Sequence, residues 1–308
     1  MTARNVTLVG LGAMGLGMAQ SLLRAGHHVT GLDHDPARLA AFAADGGAVA
    51  GNAAQAHTAL AEAEAVILVV VNAQQTEAVL FGPEGISGQL RKGAVILSCA
   101  TFAPHYAVDF ERRAETCGLL YLDAPISGGA AKAAQGKLSI MASGRAVAFT
   151  AARPFLDAMA ETVFELGDRA GAGSAMKIVN QLLAGIHVVS TAEALTFGMG
   201  QGIDPKLMVD VLSRCAGSSW MFQNRGPFIA DGDYRPHSAV EIFVKDLGIV
   251  TQAAEDAGLS VPLAKTALNR FLEAREAGFG REGDVAVAKL YAEEGHCSIP
   301  GWPRRTGE

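Results

Sequence analysis

The hexapeptide Gly10-Leu11-Gly12-Ala13-Met14-Gly15 stands between a short β-rich run, Val6–Val9, and a helical pattern, Met14–Ala25, closed by Gly26. A Gly-x-Gly-x-x-Gly string alone is a weak signal in a chain with 36 glycines. Its position after a strand and at the opening of a helix gives it meaning. Gly10 permits a tight turn, and Gly12 lets the backbone approach a pyrophosphate. Gly15 lets the helix pack against the strand, with its first amides aimed at phosphate. The next strand ends at Asp33, at about the 20-residue spacing that a dinucleotide fingerprint requires. A carboxylate there accepts hydrogen bonds from a ribose 2′-hydroxyl and repels a 2′-phosphate, so NAD is expected over NADP. His34 beside it tempers that preference, because a protonated imidazole softens the repulsion. The plainer alternative is a structural glycine turn with a helix-capping Asp.

The rest of the first half repeats the strand–helix alternation. Apolar runs occur at Val29–Leu32, Ala65–Val71, Ala94–Leu97 and Leu119–Asp123, with helical stretches at Pro36–Ala44 and Pro104–Cys117. Proline in a first helical turn and glycine after a last one are the expected punctuation. Right-handed crossovers then make the strands parallel in one doubly wound α/β sheet. Ligands of such sheets bind outside the carboxyl ends of the strands. Val70-Val71-Asn72 and Ser98-Cys99-Ala100-Thr101 should therefore face the same crevice as the glycine loop. Thr101 is a candidate cofactor contact; on local grounds it serves equally as the start of a turn into the Pro104 helix.

The second half reads as helix only. One long pattern runs from Gly173 to about Gly200, with Met176, Val179, Leu182, Leu183 and Ile186 at helical spacing. Roughly 27 residues at about 1.5 Å each span on the order of 40 Å, which suits a spine joining two domains. Further helices begin at Asp204-Pro205, near Ser238 and at Ser260. The expected division is a dinucleotide-binding domain over 1–166 and a helical substrate or oligomerisation domain over 167–308. A net charge of −6 with no basic run excludes nucleic acid and anionic membrane as natural partners. The four cysteines, Cys99, Cys117, Cys215 and Cys297, form no Cys-x-x-Cys pair and read as reduced thiols. Arg4 leads directly into the first strand, leaving no room for a signal peptide, and no segment reaches the roughly 18 uninterrupted apolar residues of a membrane span. A cytoplasmic location is the expectation.

A group that takes a proton is the remaining requirement for hydride chemistry. Gly171-Ala-Gly173-Ser-Ala-Met-Lys177 puts a lysine in the first turns of the long helix. Lys177, Asn180, Gln181 and Ala184 share one face by spacing. A lysine set among Ala, Met, Ile and Val is partly desolvated, which moves its pKa down toward the range useful for acid–base work. A solvated or snorkelling lysine is the ordinary alternative. Ser127-Gly128-Gly129 offers a hydroxyl and exposed amides that would receive an anion, or is a plain turn after the fifth strand.

Four blocks, Gly10–Met18 (GLGAMGLGM), Asp123–Gly129 (DAPISGG), Gly171–Gln181 (GAGSAMKIVNQ) and Phe243–Leu247 (FVKDL), together resemble the β-hydroxyacid dehydrogenase family. That family includes 3-hydroxyisobutyrate dehydrogenase, tartronate semialdehyde (2-hydroxy-3-oxopropionate) reductase and, more distantly, 6-phosphogluconate dehydrogenase. The resemblance implies that Lys177 is the catalytic lysine and that Ser127, Gly128 and Gly129 hold the substrate carboxylate. It also implies that Thr101 contacts NAD, that Lys245 reaches the cofactor, and that the chain forms a dimer or tetramer. Without it, Lys245-Asp246 reads as a solvated charge pair.

The hydroxyisobutyrate enzymes carry two asparagines after the lysine, whereas this chain has Asn180-Gln181, so the longer side chain would reshape the pocket. With the surroundings Gln181–His187, Ser219–Arg225 and Asp231–Val240, the sequence looks most like the L-threonate dehydrogenase branch, which oxidises the C2 hydroxyl of a four-carbon sugar acid. Gln181, Asn224, Arg225 and His237 are candidate partners for extra hydroxyls, and structural roles are equally open to each; His237 is suited to capping the helix after it. No metal is needed, since the lysine serves the electrostatic role as well. A non-catalytic dinucleotide-sensing module is the reading from another class; the retained Lys177 argues against it.

Overall fold

A row of hydrogen-bonded neighbours, Leu32, Val9, Leu68, Ser98 and Asp123, crosses the main sheet at the carboxyl ends of five parallel strands. The structure is a computed structural model that describes residues 2–303. The strands of its main sheet are β1 (Asn5–Val9), β2 (His28–Leu32), β3 (Ala48–Val49), β4 (Ala65–Leu68), β5 (Val95–Ser98) and β6 (Leu120–Asp123), in the order β3-β2-β1-β4-β5-β6. This is the doubly wound dinucleotide-binding order. Between them run α1 (Ala13–Arg24), α2 (Pro36–Ala44), α3 (Ala53–Glu62), α4 (Ala73–Phe81) and α5 (Pro104–Thr116). Both faces of the sheet are covered, and the central strands alternate between two cores. Val6, Leu8, Ala65, Ile67, Val95, Leu97 and Leu122 face one. Val66, Leu68, Ile96 and Tyr121 face the other.

A second sheet, absent from the sequence reading, follows the sixth strand. It consists of β7 (Ile126–Ser127), β8 (Leu138–Ala142) and β9 (Ala160–Glu165), with α6 (Gly129–Gln135) and α7 (Ala146–Met159) between them. β7 pairs antiparallel with β8, and β8 pairs parallel with β9. Ile126, Leu138, Ile140, Phe155 and Met159 join this sheet to the core around α1. The strand expected over Ala65–Val71 stops at Leu68, because Asn72 caps α4 and Gln75 Oε1 accepts the Val71 amide at 2.9 Å.

Helix α8 (Ala172–Gly200) opens the all-helical half, followed by α9 (Pro205–Leu212), α10 (Trp220–Asp231), α11 (Val240–Asp256), α12 (Pro262–Ala274) and α13 (Val287–Glu294). Their core holds Val188, Leu195, Phe222, Val240, Leu247 and the stacked pair Phe243 and Phe271. By compactness the chain divides between Lys177 and Ile178. The sequence puts the change near Gly167, but hydrogen bonds described below tie the first turns of α8 into the sheet unit. By length and composition α8 is apolar enough to cross a bilayer. It nonetheless buries Lys177, Gln181 and Thr191, and Val188, Ala192 and Leu195 lie in the helical core.

Candidate active site

The three glycines of the first loop do different work. Gly10 has φ +97°, and a Cβ there would lie 2.4 Å from the Val69 carbonyl oxygen. A Cβ on Gly15 would lie 1.8 Å from the Gly10 oxygen. Sterics inside the protein therefore demand both. At Gly12 the nearest atom to a Cβ would be an Arg38 guanidinium nitrogen, 3.9 Å away. Nothing in the chain requires glycine at that position, whereas a phosphate approaching the first turn of α1 does. That helix starts at Gly12 with no side-chain cap and no acid in its first turn, leaving its amide end suited to an anion. Leu11, Ala13 and Met14 complete the loop.

Asp33 is one residue beyond β2. Its side chain is 2 % exposed and accepts hydrogen bonds from the amides of Leu11 (2.7 Å) and Asp35 (2.9 Å). Arg38 lies 3.5 Å away. Burial pushes the carboxyl up, but the two amides and Arg38 outweigh it and hold the pKa below the usual value. A charged carboxylate thus reaches from the second strand to the glycine loop, where an adenosine ribose belongs. These residues fit NAD. Val70, half-exposed Val71 and partly buried Thr101 leave the same sheet edge after β4 and β5. Cys99 beside them supplies no thiolate, since burial and then the Asp123 charge push its thiol up to about 12.

Lys177 is 8 % exposed. Its Nζ donates to the carbonyl oxygen of Ile126 at 2.8 Å, which puts the amine at the residue preceding Ser127. Gly128 (φ +133°) and Gly129 (φ +77°) occupy backbone conformations that favour glycine and open α6. The sheet unit therefore holds Lys177 beside the Ser127–Gly129 turn and Asp33 beside the glycine loop.

Sequence reasoning missed Asp123, the buried end of β6. Its Oδ2 accepts from the amides of Ser174 (2.8 Å) and Gly171 (3.0 Å) and from Ser143 Oγ (3.3 Å), and Oδ1 accepts from Ser174 Oγ (2.7 Å). Ser143 Oγ in turn accepts the Gly173 amide at 2.9 Å. Burial pushes the Asp123 carboxyl up, and the Ser174, Gly171 and Ser143 bonds oppose it. An acidic residue closing an apolar strand is the sequence signal that would have found it.

Within the helical unit, Gln181 Nε2 donates to Asp246 Oδ2, while Gln181 Oε1 accepts from Asn180 Nδ2 at 2.9 Å. Lys245 Nζ lies 2.7 Å from Asp246 Oδ1. Asp246 is 2 % exposed, so the pair read as solvated is built into the unit. Arg225 donates through Nε to Asp284, and His237 stacks on Phe228 and bonds to Asp233. His237 does not cap α11, whose N-cap is Ala239.

Comparison with known proteins finds relatives over nearly the whole chain. Residues 5–167 match the model of the NAD-binding domain of 6-phosphogluconate dehydrogenase. Residues 171–291 match the model described as the NAD-binding domain of NADP-dependent 3-hydroxyisobutyrate dehydrogenase. L-threonate dehydrogenase of Cupriavidus necator is 47 % identical over 289 residues, covering 94 % of this chain and 96 % of that one. L-threonate dehydrogenase of Escherichia coli K12 is 43 % identical over 298 residues, covering 96 % and 97 %. The crystal structure of a 3-hydroxyisobutyrate dehydrogenase from Salmonella typhimurium superposes with a TM-score of 0.87 at 44 % identity, over 92 % of this chain and 99 % of that one.

Proposed function

The chain belongs to the 3-hydroxyisobutyrate dehydrogenase family, and we propose that Lys177 serves it as general acid and base in the NAD-dependent oxidation of L-threonate to 2-dehydro-L-erythronate. It is an oxidoreductase acting on a hydroxy acid. The observation that carries the proposal is the buried Lys177 amine bonded to Ile126, one residue from a hydroxyl and two glycine amides.

The substrate carboxylate docks on Ser127 Oγ and the Gly128 and Gly129 amides. An uncharged Lys177 keeps one N–H on the Ile126 oxygen and turns its lone pair to the C2 hydroxyl, whose proton it takes. NAD, when bound, supplies the hydride acceptor. In the reverse direction the Lys177 ammonium returns the proton to the forming alkoxide and stabilises its charge. Asp33 holds the ribose, Gly12 admits the pyrophosphate, and Val70, Val71 and Thr101 flank the cofactor on the strand edge. The family resemblance implies that Lys245 is a cofactor residue and that Asn180 and Gln181 are substrate residues. The same proposal includes a cytoplasmic setting, supported by four unpaired cysteines, and assembly as a dimer or tetramer. The exposed apolar side chains Met176, Val179, Leu183 and Phe197 of α8 support assembly.

The name carried by the Salmonella structure favours a second reading, 3-hydroxyisobutyrate as substrate. A panel of L-threonate, 3-hydroxyisobutyrate and, in the reverse direction, tartronate semialdehyde separates the readings when run with both NAD and NADP. The expected result is a kcat/KM for L-threonate with NAD at least about tenfold above every other combination, the discrimination that one well-placed polar contact supplies. A higher kcat/KM for 3-hydroxyisobutyrate would overturn the substrate assignment.

A further inference from the structure

Asp123 and Lys177 lie in separate elements whose joining bonds span 48 to 51 residues, yet the segment Asp123–Ile126 holds the start of α8 twice. At one end Asp123 accepts the Gly171 and Ser174 amides and the Ser174 hydroxyl. At the other, Ile126 accepts the Lys177 ammonium or amine hydrogen. We propose that Asp123 is a positioning residue: a carboxylate from the sheet that caps the helix carrying Lys177 and sets where its Nζ can stand. The inference rests on the assignment of Lys177 as proton acceptor.

Three physical points carry it. The first amides of a helix lack partners within the helix, and a carboxylate is their strongest acceptor, favoured by the helix dipole as well. Asp123 does from outside what a local N-cap residue does from within. Next, the fit leaves no slack. A Cβ on Gly173 would lie 2.4 Å from the Met141 oxygen and 2.9 Å from the Asp123 oxygen, so the helix start is pressed against the backbone of β6 and β8. Finally, Ser143 makes the arrangement cooperative. Its hydroxyl donates to Asp123 and accepts the Gly173 amide, and its backbone pairs with Asp123 in both directions at 2.8 and 3.0 Å. Lys177 is three residues beyond Ser174, so a shift of the first turn moves the amine directly.

The test compares Asp123→Asn, Ser174→Ala, Ser174→Thr and Lys177→Ala with the unsubstituted enzyme, using L-threonate and NAD. Asn offers the cluster one acceptor and a misplaced donor. Its expected effect is a fall in kcat of about 100-fold, the cost of misplacing a reacting group by about 1 Å. NAD affinity and substrate KM should stay within about threefold, since the glycine loop and Ser127 are untouched. Should Asp123→Asn fail to fold, the milder Ser174→Ala decides. Its kcat is expected to fall about tenfold, as for loss of one hydrogen bond to a charged group, and Ser174→Thr to restore it. A kcat unchanged in folded Asp123→Asn or Ser174→Ala protein, with only the melting temperature lowered, overturns the positioning role and leaves the Lys177 assignment standing. Near-normal turnover of Lys177→Ala overturns both.

Discussion

Lys177 Nζ and the Ile126 carbonyl oxygen are 2.8 Å apart, so the amine and the turn that begins at Ser127 move as one piece. In the proposed mechanism, a proton acceptor and an anion cradle held this way need no rearrangement at the moment of reaction. Lys177→Arg isolates the proton-transfer role. A guanidinium stays protonated at any pH the enzyme survives, so it retains charge and hydrogen bonding but cannot take the hydroxyl proton. Initial rates of threonate oxidation are expected to fall by at least about 100-fold, the low end for loss of general base catalysis.

Gly12 and Gly173 separate the two uses of glycine. Gly173→Ala places a methyl group 2.4 Å from backbone oxygen and should destabilise the fold by about 1–3 kcal/mol, read as a lower midpoint in urea. Gly12→Ala meets no protein atom within 3.9 Å. Its midpoint should match the unsubstituted protein, while NAD titration shows affinity weakened by at least about tenfold, or 1.4 kcal/mol.

In the proposed site Asp33 sets the cofactor preference, and its lowered pKa sets the pH range over which it does so. The carboxylate is ionised above its depressed folded value. The stability it contributes is complete above the ordinary value near 4 and is lost as pH falls through the folded value. The ratio of kcat/KM for NAD over NADP should therefore be flat from about pH 7 to about pH 9, above the second ionisation of a 2′-phosphate at about pH 6. Asp33→Ala should shrink that ratio by at least about tenfold by removing the repulsion of a 2′-phosphate.

Lys289 tests the helical unit. It is 4 % exposed, with its ammonium 4.4–4.8 Å from the rings of Tyr234, Phe279 and Trp302 and paired to Glu282. Lys289→Ala removes the cation and leaves a void beside Trp302. Destabilisation of about 2–4 kcal/mol is expected, with a red-shifted tryptophan emission in the native state.

Much of this architecture was legible because it is written locally. The glycine loop and Asp33 lie within 24 residues of one another, and turn, helix start and strand end each follow from residue type. Helices α3 and α4 were also written locally but went unread. Asn52 and Asn72 each cap a helix and each precede a Gln by three residues that binds back to the preceding amide, a variant of the capping box. The small sheet was harder, since β7 has two residues and β9 is largely exposed, leaving no clear alternation. Asp123 and Asp246 were not legible as anchors at all. Their partners Gly171, Ser174 and Gln181 are brought in by the fold across 48 to 65 residues, and spacing within one element carries no trace of that.

Single-turnover oxidation of L-threonate by Lys177→Ala, followed as NADH absorbance beside a titration of NAD binding, bears on the central claim most directly. The prediction is hydride transfer slowed by at least about 1,000-fold, within the span of general base catalysis, with NAD affinity unchanged within about threefold. Transfer at close to the unsubstituted rate would contradict the role given to this amine.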